Sequence, residues 1–178
     1  DVMELALYNN VLSGVGLDGM LFFYPNPLES AAGHQRQPWF ECACCPSNIS
    51  RFLASIPGYV YAVNEDAVYV NLFVNSDAEI TAAGKKFKLT QTTDYPRSGK
   101  IELTITPETE SRMKLNIRIP GWAQNKPVPG TLYSIHNAIK LPAKISVNGT
   151  EIGIIPIKGY AVIEREWKPG DKISITLP

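Results

Sequence analysis

The spacing of apolar and polar residues along the chain changes near residue 57. Before it, apolar side chains recur at helical spacing or are interrupted by Gly and Pro, whereas from Tyr59 onward they alternate with polar ones. Alternation with a period of two predicts strands with one buried face. The sequence therefore predicts two unlike parts, a short helical segment at residues 1–57 and a β-domain at residues 58–178.

Two helices are predicted in the first part. The first spans residues 1–16 and ends near Gly14 or Gly16, with Glu4 and Asn9 off its apolar stripe. The stripe consists of Val2, Leu5, Tyr8, Leu12 and Val15. The second runs from Pro46, a first-turn proline, to about Ile56 and is ended by Pro57-Gly58.

The long loop between these helices, residues 17–45, is punctuated by Gly and Pro, and its polar residues around Gln35 and Arg36 look exposed. Fewer than sixty residues cannot bury the faces of two helices by themselves. We therefore expect residues 1–56 to be the end of a larger helical domain or an appendage packed on the β-domain.

Ten short strands are predicted in the second part, with Glu65-Asp66 as the turn of a first hairpin. Residues 120–142 lack strand alternation and are predicted to form a long excursion. No helix of crossover length separates the strands, so the fold class is predicted as mainly β, an antiparallel β-sandwich. The predicted strands are 59–64, 67–75, 78–82, 86–93, 99–106, 112–119, 143–148, 151–156, 160–166 and 172–177.

Composition and charge limit the classes of partner that the chain is expected to bind. The 178 residues are 44% hydrophobic, and 17 basic residues balance 17 acidic ones. A net charge of zero gives no long-range field for nucleic acid or anionic lipid, and no run of about 18 apolar residues is present to span a membrane. A neutral sugar suits this balance. Because the sequence starts at Asp1 rather than at an initiator Met, we expect the true N-terminus elsewhere. The lack of a signal peptide therefore says little about the compartment, and bacterial cytoplasm and periplasm both remain open.

All three cysteines fall in Cys42-Ala43-Cys44-Cys45-Pro46. This clustering is unlike a disulfide framework and favours a metal ligand or a nucleophile. The segment lies where the loop enters the second helix, with Cys45 predicted as N-cap, and a helix N-terminus favours the thiolate. Zinc also binds cysteine as thiolate, but one tight cluster rarely supplies four ligands, so further ligands would come from elsewhere.

Other interpretations of the cluster stay open. The three thiols could pack as small apolar groups, or Cys44 and Cys45 could form a strained vicinal disulfide. Glu41 could act as a ligand or general acid, although a solvated loop carboxylate fits equally well. His34 could reach a metal, yet a lone loop histidine is more often simply exposed.

Five aromatic residues flank the same loop: Phe22, Phe23, Tyr24, Trp39 and Phe40. Aromatic faces together with the Tyr24 hydroxyl and the Asn26 amide would suit a sugar, which presents apolar C–H faces and hydroxyl edges. The alternative is that these rings close a core under the loop.

Several of these motifs resemble glycoside hydrolase family 127 and its relatives in family 146. The cysteine segment is the most specific part of the resemblance, which spans nearly the whole chain. The matching motifs are Leu7-Tyr8-Asn9, Val11-Leu12-Ser13-Gly14, Leu17-Asp18-Gly19, Phe23-Tyr24, Asn26-Pro27-Leu28-Glu29, Trp39-Phe40 with Cys42 to Pro46, Asn48 and Arg51, Ile117 to Ala123, Val147-Asn148-Gly149, Gly159-Tyr160, Arg165-Glu166-Trp167 and Gly170-Asp171.

The resemblance implies that residues 1 to about 56 end an (α/α)6 barrel, that a β-sandwich follows, that another sandwich comes after residue 178, and that the chain is a fragment. It implies a retaining enzyme that releases L-arabinofuranose from an arabinose-containing glycan or oligosaccharide. A zinc-bound cysteine is the nucleophile in this family. By motif position Cys44 would be that nucleophile and a zinc ligand, Cys45 a second ligand, and Tyr24 a residue near the sugar. Cys42 matches a third cysteine of the segment.

The remaining zinc ligands of the family, a Glu and a Cys, and its acid/base Glu belong to barrel segments that precede this chain, so Glu41 does not replace them. The loop from Ser30 to Pro38 is short, which affects the expected substrate subsite. Two rival functions remain. One is a non-catalytic carbohydrate-binding or structural β-sandwich with packing or structural-metal cysteines. The other, a redox thiol protein, is less favoured because the Cys44-Cys45 pair lacks the Cys-x-x-Cys spacing and the βαβ setting of redox thiol proteins.

Overall fold

The computed structural model describes residues 1–25, 27–42 and 44–178. The chain divides into two compact units, Asp1–Pro57 and Gly58–Pro178. Each unit is described by itself below.

The first unit contains a short helix α1, Val2–Ala6, continued by a π-helical turn, Leu7–Val11. After the long loop comes helix α2, Cys44–Ser55. The single turn α3, Pro57–Val60, spans the boundary between the two units. The helix predicted over residues 1–16 is therefore shorter than expected and changes pitch at Leu7. Its last part is a turn that ends at the buried Gly14.

The predicted apolar stripe of the first helix is wrong. Glu4 and Leu7 are buried, at 8% exposure each, whereas Val2 is 65% and Leu12 41% exposed. Apolar residues almost surround this segment, so its periodicity does not determine which side is buried. The π-helical turn also rotates the residues after Ala6 relative to an ideal helix.

Helix α2 begins two residues earlier than predicted, so Cys44 and Cys45 lie inside its first turn and Cys45 is not an N-cap. The carbonyl of Cys44 accepts hydrogen bonds from Ser47 Oγ at 3.0 Å and Asn48 Nδ2 at 2.7 Å. Pro46 then falls in the first turn, where no backbone N–H is needed by an intrahelical partner. The start of α2 thus carries two adjacent thiols.

The second unit is mainly β, as predicted, with two sheets. Its strands are β1 Tyr61–Asn64, β2 Ala67–Val70, β3 Ser76–Ala82, β4 Lys85–Thr93, β5 Lys100–Pro107, β6 Ser111–Arg118, β7 Lys144–Val147, β8 Thr150–Ile152, β9 Tyr160–Trp167 and β10 Asp171–Thr176. One sheet has the order β1-β2-β6-β9 and the other β3-β4-β5-β10-β7-β8. The β-sandwich prediction is confirmed, including the hairpin that pairs Asn64 with Ala67 around Glu65-Asp66.

Alternation explains why these segments are strands. In β5, Ile101, Leu103 and Ile105 are fully buried, while Glu102 between them is exposed. Both sheets contribute to one buried cluster, in which Trp167 is fully buried and donates Nε1–H to the Met113 carbonyl at 2.9 Å. Burial of apolar area at about 25 cal/mol per Å² makes this cluster the main source of stability in the unit.

One pairing differs from the antiparallel prediction. Strands β2 and β6 run parallel, with Val68 beside Leu115. Strand β2 ends at Val70, earlier than predicted. The stretch 120–142 is irregular apart from a 3₁₀ turn at Trp122–Gln124, in keeping with the predicted excursion.

Among the described residues, no helix combines the length and apolar character needed to cross a membrane.

Candidate active site

The loop before α2 is fixed by backbone hydrogen bonds within the first unit. Phe22 N–H donates to Gln37 O at 3.0 Å, and Gln37 N–H donates back to Phe22 O at 2.9 Å. Phe23 N–H donates to Gly14 O at 2.8 Å. The outgoing limb at Phe22 and Phe23 is thereby tied both to the returning limb and to the end of the first helical segment, and Tyr24 follows directly.

The three thiols lie together at the start of α2. Cys42 Sγ is 3.6 Å from Cys44 Sγ, which is 3.7 Å from Cys45 Sγ. All three cysteines are free; Cys42 and Cys44 are exposed and Cys45 is half-buried. The vicinal disulfide interpretation is therefore wrong, and the exposure of Cys42 and Cys44 does not fit thiols that pack as apolar groups.

Tyr24 comes from the other limb of the loop to the same place. Its hydroxyl is 3.7 Å from Cys44 Sγ, within the range of a hydrogen bond to sulfur. The ring of Phe40 lies 5.6 Å from the Tyr24 ring, centroid to centroid, and supports one side of it. Cys44 is thus in contact with three side chains, those of Tyr24, Cys42 and Cys45. The four residues come from two separate segments of the chain.

The contacts among these groups shift their pKa values in different directions. The Tyr24 hydroxyl, followed by the Cys44 backbone N–H, holds the pKa of Cys42 below its ordinary value. The same contacts, first with Cys42 and then with Cys44, raise the pKa of Tyr24. Burial, followed by the contact with Cys44, raises the pKa of Cys45. Tyr24 therefore remains a protonated donor at neutral pH, aimed at the sulfurs.

The sulfur spacing suits part of a zinc site. Zn–S bonds of about 2.3 Å in a tetrahedron place two sulfurs about 3.8 Å apart, close to the 3.7 Å between Cys44 and Cys45. Within the described residues, however, no three or more His, Cys, Asp or Glu side chains are placed to hold a metal ion. The chain therefore offers a pair of thiolates as ligands and would need further ligands to complete a zinc site.

His34 is not a ligand candidate, and it is not the exposed loop histidine that the sequence suggests. Its ring stacks on Phe23 at 4.4 Å with an interplanar angle of 13°, and its Nε2 is buried without a hydrogen-bond partner. Glu41 is exposed. Neither side chain is brought to the sulfurs by a described contact.

Of the five aromatic residues of the loop, some pack in a core under the loop and others are exposed enough to meet a sugar. Phe22 is buried and meets Phe40 edge-on at 5.2 Å. Phe23 is packed by His34 and by the guanidinium of Arg36, 4.4 Å from the ring centroid. Tyr24 is 40% and Trp39 60% exposed, so only these two are available to a sugar. Asn26, the suggested amide partner, lies outside the described residues.

Comparison with known families fits this arrangement. Residues 67–178 match the family model for the middle domain of GH127 β-L-arabinofuranosidases, and residues 1–58 match the model for the GH127 catalytic domain. The chain belongs to glycoside hydrolase family 127. The GH127 cysteine segment at Cys42 to Pro46 thus falls in the part that matches the catalytic domain.

Related GH127 proteins agree. The chain is 31% identical over 156 residues to a non-reducing end β-L-arabinofuranosidase of Bifidobacterium longum subsp. longum, covering 74% of this chain and 23% of that protein. A solved GH127 β-arabinofuranosidase has 47% identity and a TM-score of 0.94 over 99% of this chain and 28% of its own. A GH127 β-L-arabinofuranosidase from Geobacillus stearothermophilus T6 has 39% identity and a TM-score of 0.84, covering 99% of this chain and 27% of its own.

The chain therefore spans about a quarter of the length of these GH127 relatives. The match includes both units, the helical segment with the cysteines and the β-sandwich.

Proposed function

We propose that this chain is part of a retaining glycoside hydrolase that releases L-arabinofuranose from β-L-arabinofuranosides, with Cys44 as the nucleophile. One observation carries the proposal: Cys44 is an exposed thiol at the start of α2, in contact with Tyr24, Cys42 and Cys45, within residues that match the GH127 catalytic domain. Its relatives' names supply the substrate class, an arabinose-containing glycan or oligosaccharide.

The reaction is a double displacement. The Cys44 thiolate attacks the anomeric carbon of the arabinofuranoside and forms a C–S bond as the glycosidic C–O bond breaks. An acid/base carboxylate, which protonates the leaving oxygen in the first step, then takes a proton from water as the water attacks the same carbon from the side opposite the sulfur. The C–S bond breaks, and the Cys44 thiolate is restored. Two inversions return the starting configuration, so the product keeps the β-configuration when first formed.

The residues around Cys44 have separate tasks in this reaction. The Tyr24 hydroxyl lies in hydrogen-bonding range of Cys44 Sγ in the free enzyme and can turn to a sugar oxygen when the thiolate attacks. Cys42 makes a second contact with the same sulfur at 3.6 Å. Both contacts keep the Cys44 side chain in one orientation, which lowers the entropic cost of reaching the anomeric carbon.

Cys44 and Cys45 are the thiols that would hold zinc, since their separation matches two corners of a zinc tetrahedron. Bound there, zinc would supply positive charge that keeps the thiolates deprotonated at neutral pH. We infer that the other ligands, a Glu and a Cys, and the acid/base Glu that protonates the leaving oxygen lie outside these 178 residues. Residues 1–57 would then end the (α/α)6 barrel that carries them.

The rival function, a non-catalytic sandwich with packing cysteines, has less support. Its cysteines would be buried or bridged, whereas Cys42 and Cys44 are exposed and free. A redox thiol protein fits no better, because the adjacent thiols Cys44 and Cys45 lie in the first turn of α2 and the described strands and helices form no βαβ unit.

The decisive experiment uses the full-length enzyme and a chromogenic β-L-arabinofuranoside. We expect hydrolysis, one bound zinc per chain, and a first-formed product of β-configuration when the reaction is followed by NMR before mutarotation. A first product of α-configuration would exclude the thioglycosyl intermediate and with it the nucleophile role of Cys44. An enzyme that turns over fully after complete zinc removal would leave the nucleophile in place but exclude the metal.

A further inference from the structure

The contacts of Tyr24 raise the question of what holds its hydroxyl at Cys44. The Tyr24 ring is 40% exposed, and Phe40 is the ring that packs against it. A half-exposed tyrosine on a loop has rotamer and backbone freedom that would move its hydroxyl by several ångströms. Its placement therefore depends on how firmly residues 22–24 are held.

The residue before Tyr24 is held by a clamp made of Arg36 and His34. The Arg36 guanidinium carbon lies 4.4 Å from the Phe23 ring centroid, and the His34 ring stacks on Phe23 at 4.4 Å and 13°. The buried, unpartnered Nε2 of His34 shows how closely this stack is packed, since a mobile imidazole would turn that nitrogen to water.

Arg36 also reaches a third element. Its Nη2 donates to the carbonyl of Ser13 at 2.6 Å, at the end of the first helical segment. The neighbouring Gly14 carbonyl accepts the N–H of Phe23 at 2.8 Å. Arg36 therefore joins the returning limb of the loop, the ring of Phe23 and the helix end, directly beside the backbone bond that fixes Phe23.

Arginine suits this position better than lysine. A planar guanidinium can lie over an aromatic ring with its face while its edge donates to a carbonyl, and its charge is attracted to the ring face. A lysine ammonium keeps the charge but cannot stack and donate in that geometry. The two contacts of Arg36, with the Phe23 ring and with the Ser13 carbonyl, thus both need the guanidinium group.

We propose that Arg36 is a positioning residue that holds the Tyr24 hydroxyl at Cys44 by clamping Phe23 against the helix end. Its described contacts are with Ser13 and Phe23 rather than with the sulfurs, so it acts through Tyr24. This inference rests on the proposed function for its effect on the rate, but the placement of Tyr24 is a property of the fold and is tested separately.

The structural test is the crystal structure of the full-length Arg36→Gln variant. We expect the Tyr24 hydroxyl to leave hydrogen-bonding range of Cys44 Sγ, with Cys42, Cys44 and Cys45 in place. Arg97→Gln is the matched control, because Arg97 is also an exposed arginine with a polar partner, Asp94, and lies in the other unit. Tyr24 unmoved in Arg36→Gln overturns the proposal, whatever the enzyme's activity.

The kinetic test is a double-mutant cycle of Arg36→Gln with Tyr24→Phe in the same enzyme. We expect Arg36→Gln to lower kcat about tenfold with little change in KM, and Tyr24→Phe to lower it at least as much. If Arg36 acts through Tyr24, the double variant equals Tyr24→Phe alone. A double variant whose loss of kcat is the product of the two single losses overturns the proposal.

Two further variants keep the test decisive. Arg36→Lys should fold and restore only part of kcat, whereas full activity in Arg36→Lys would show that charge alone suffices and would overturn the clamp. If Arg36→Gln fails to fold, Phe23→Leu takes its place as the test, since it removes the clamped ring without changing Arg36. It should displace Tyr24 in the same way. If Tyr24→Phe leaves kcat unchanged, the role of Tyr24 in the proposed reaction fails, while the crystal structures still decide the clamp.

Discussion

Cys44 and Cys45 are neighbours in sequence at the start of α2, and their sulfurs lie 3.7 Å apart without a bond between them. Tyr24 and Cys42 both contact the Cys44 sulfur. Under the proposed function, Cys44 would attack the substrate while Cys44 and Cys45 together would hold zinc.

The first prediction concerns Cys44 itself. Cys44→Ser in the full-length enzyme should reduce kcat by about a thousandfold or more without loss of folding, because a serine hydroxyl ionises far too weakly to replace a thiolate. The measurement is hydrolysis of a chromogenic β-L-arabinofuranoside, with zinc content and thermal unfolding beside it. Cys42→Ser is the matched control in the same cluster and should cost far less, since Cys42 contacts the sulfur but does not attack. Activity within about tenfold of the parent in Cys44→Ser, with zinc still bound, would remove Cys44 from the nucleophile role.

A second prediction concerns the 178-residue chain expressed alone. It should hydrolyse no β-L-arabinofuranoside and bind zinc weakly or not at all, because a catalytic zinc needs about three fixed protein ligands and a supporting shell. The described residues bring only the thiol cluster to the site. Isothermal titration with zinc and a parallel activity assay of the full-length enzyme provide the comparison. Tight one-to-one zinc binding with turnover in the 178-residue chain would mean that it holds a complete site by itself.

The third prediction is a pH dependence of stability in the β-sandwich. Burial alone would raise the pKa of Asp171, but hydrogen bonds from Lys168 N–H and Asn148 Nδ2 and the charge of Arg165 outweigh it and lower the pKa below 3.8. A lowered folded pKa means that the folded state binds fewer protons than the unfolded one. The resulting stability is present above pH 3.8 and is lost as the pH falls through the folded pKa.

Asp171→Asn should therefore reduce the free energy of unfolding by about 1–3 kcal/mol at pH 7 and by less at pH 3. Urea unfolding at the two pH values gives the difference. Glu151→Gln, which removes an exposed carboxylate paired with Lys144, should change little at either pH. An Asp171→Asn variant with the same deficit at both pH values would show that its carboxylate acts by shape rather than by charge.

The fourth prediction tests the core of the sandwich. Leu103 is fully buried at the centre of β5, and Leu103→Ala should lower the free energy of unfolding by about 2–5 kcal/mol through lost burial and the cavity left behind. Glu102→Ala on the same strand faces solvent and should change it by less than about 0.5 kcal/mol. Equal urea midpoints for the two variants would contradict the inward assignment of β5.

Local alternation made the sandwich predictable from sequence. Each of the ten predicted strands overlaps a strand of the structure, because inward residues such as Ile101 and outward ones such as Glu102 differ sharply in polarity. The features that were predicted wrongly either have an ambiguous sequence pattern or depend on contacts between distant segments. The phase of α1 could not be predicted because apolar residues nearly surround it, and the parallel pairing of β2 with β6 joins segments that are far apart in sequence.

The site was predictable in part. The cysteine cluster is local in sequence, and its spacing alone pointed to a nucleophile or a metal. Tyr24 was a sugar-binding candidate from its place among the loop aromatics, but its contact with Cys44 was not predicted, since twenty residues of irregular loop separate the two. The contacts of His34 and Arg36 with Phe23 were not predicted: Arg36 is exposed, as expected, whereas His34 is half-buried. Their contacts with Phe23 depend on how the two limbs of the loop fold back, for which no periodic pattern exists.

The position of β10 has a consequence for how the sandwich is made on the ribosome. This strand is the last of the ten, yet it lies between β5 and β7 in the six-stranded sheet. Until Asp171–Thr176 has left the exit tunnel, the nascent chain can form only a β3-β4-β5 half and a β7-β8 hairpin, each with an open edge at the place where β10 belongs. Completion of the sheet is therefore a late, single event, and chaperones that cover strand edges have their longest opportunity to act on this protein during that interval.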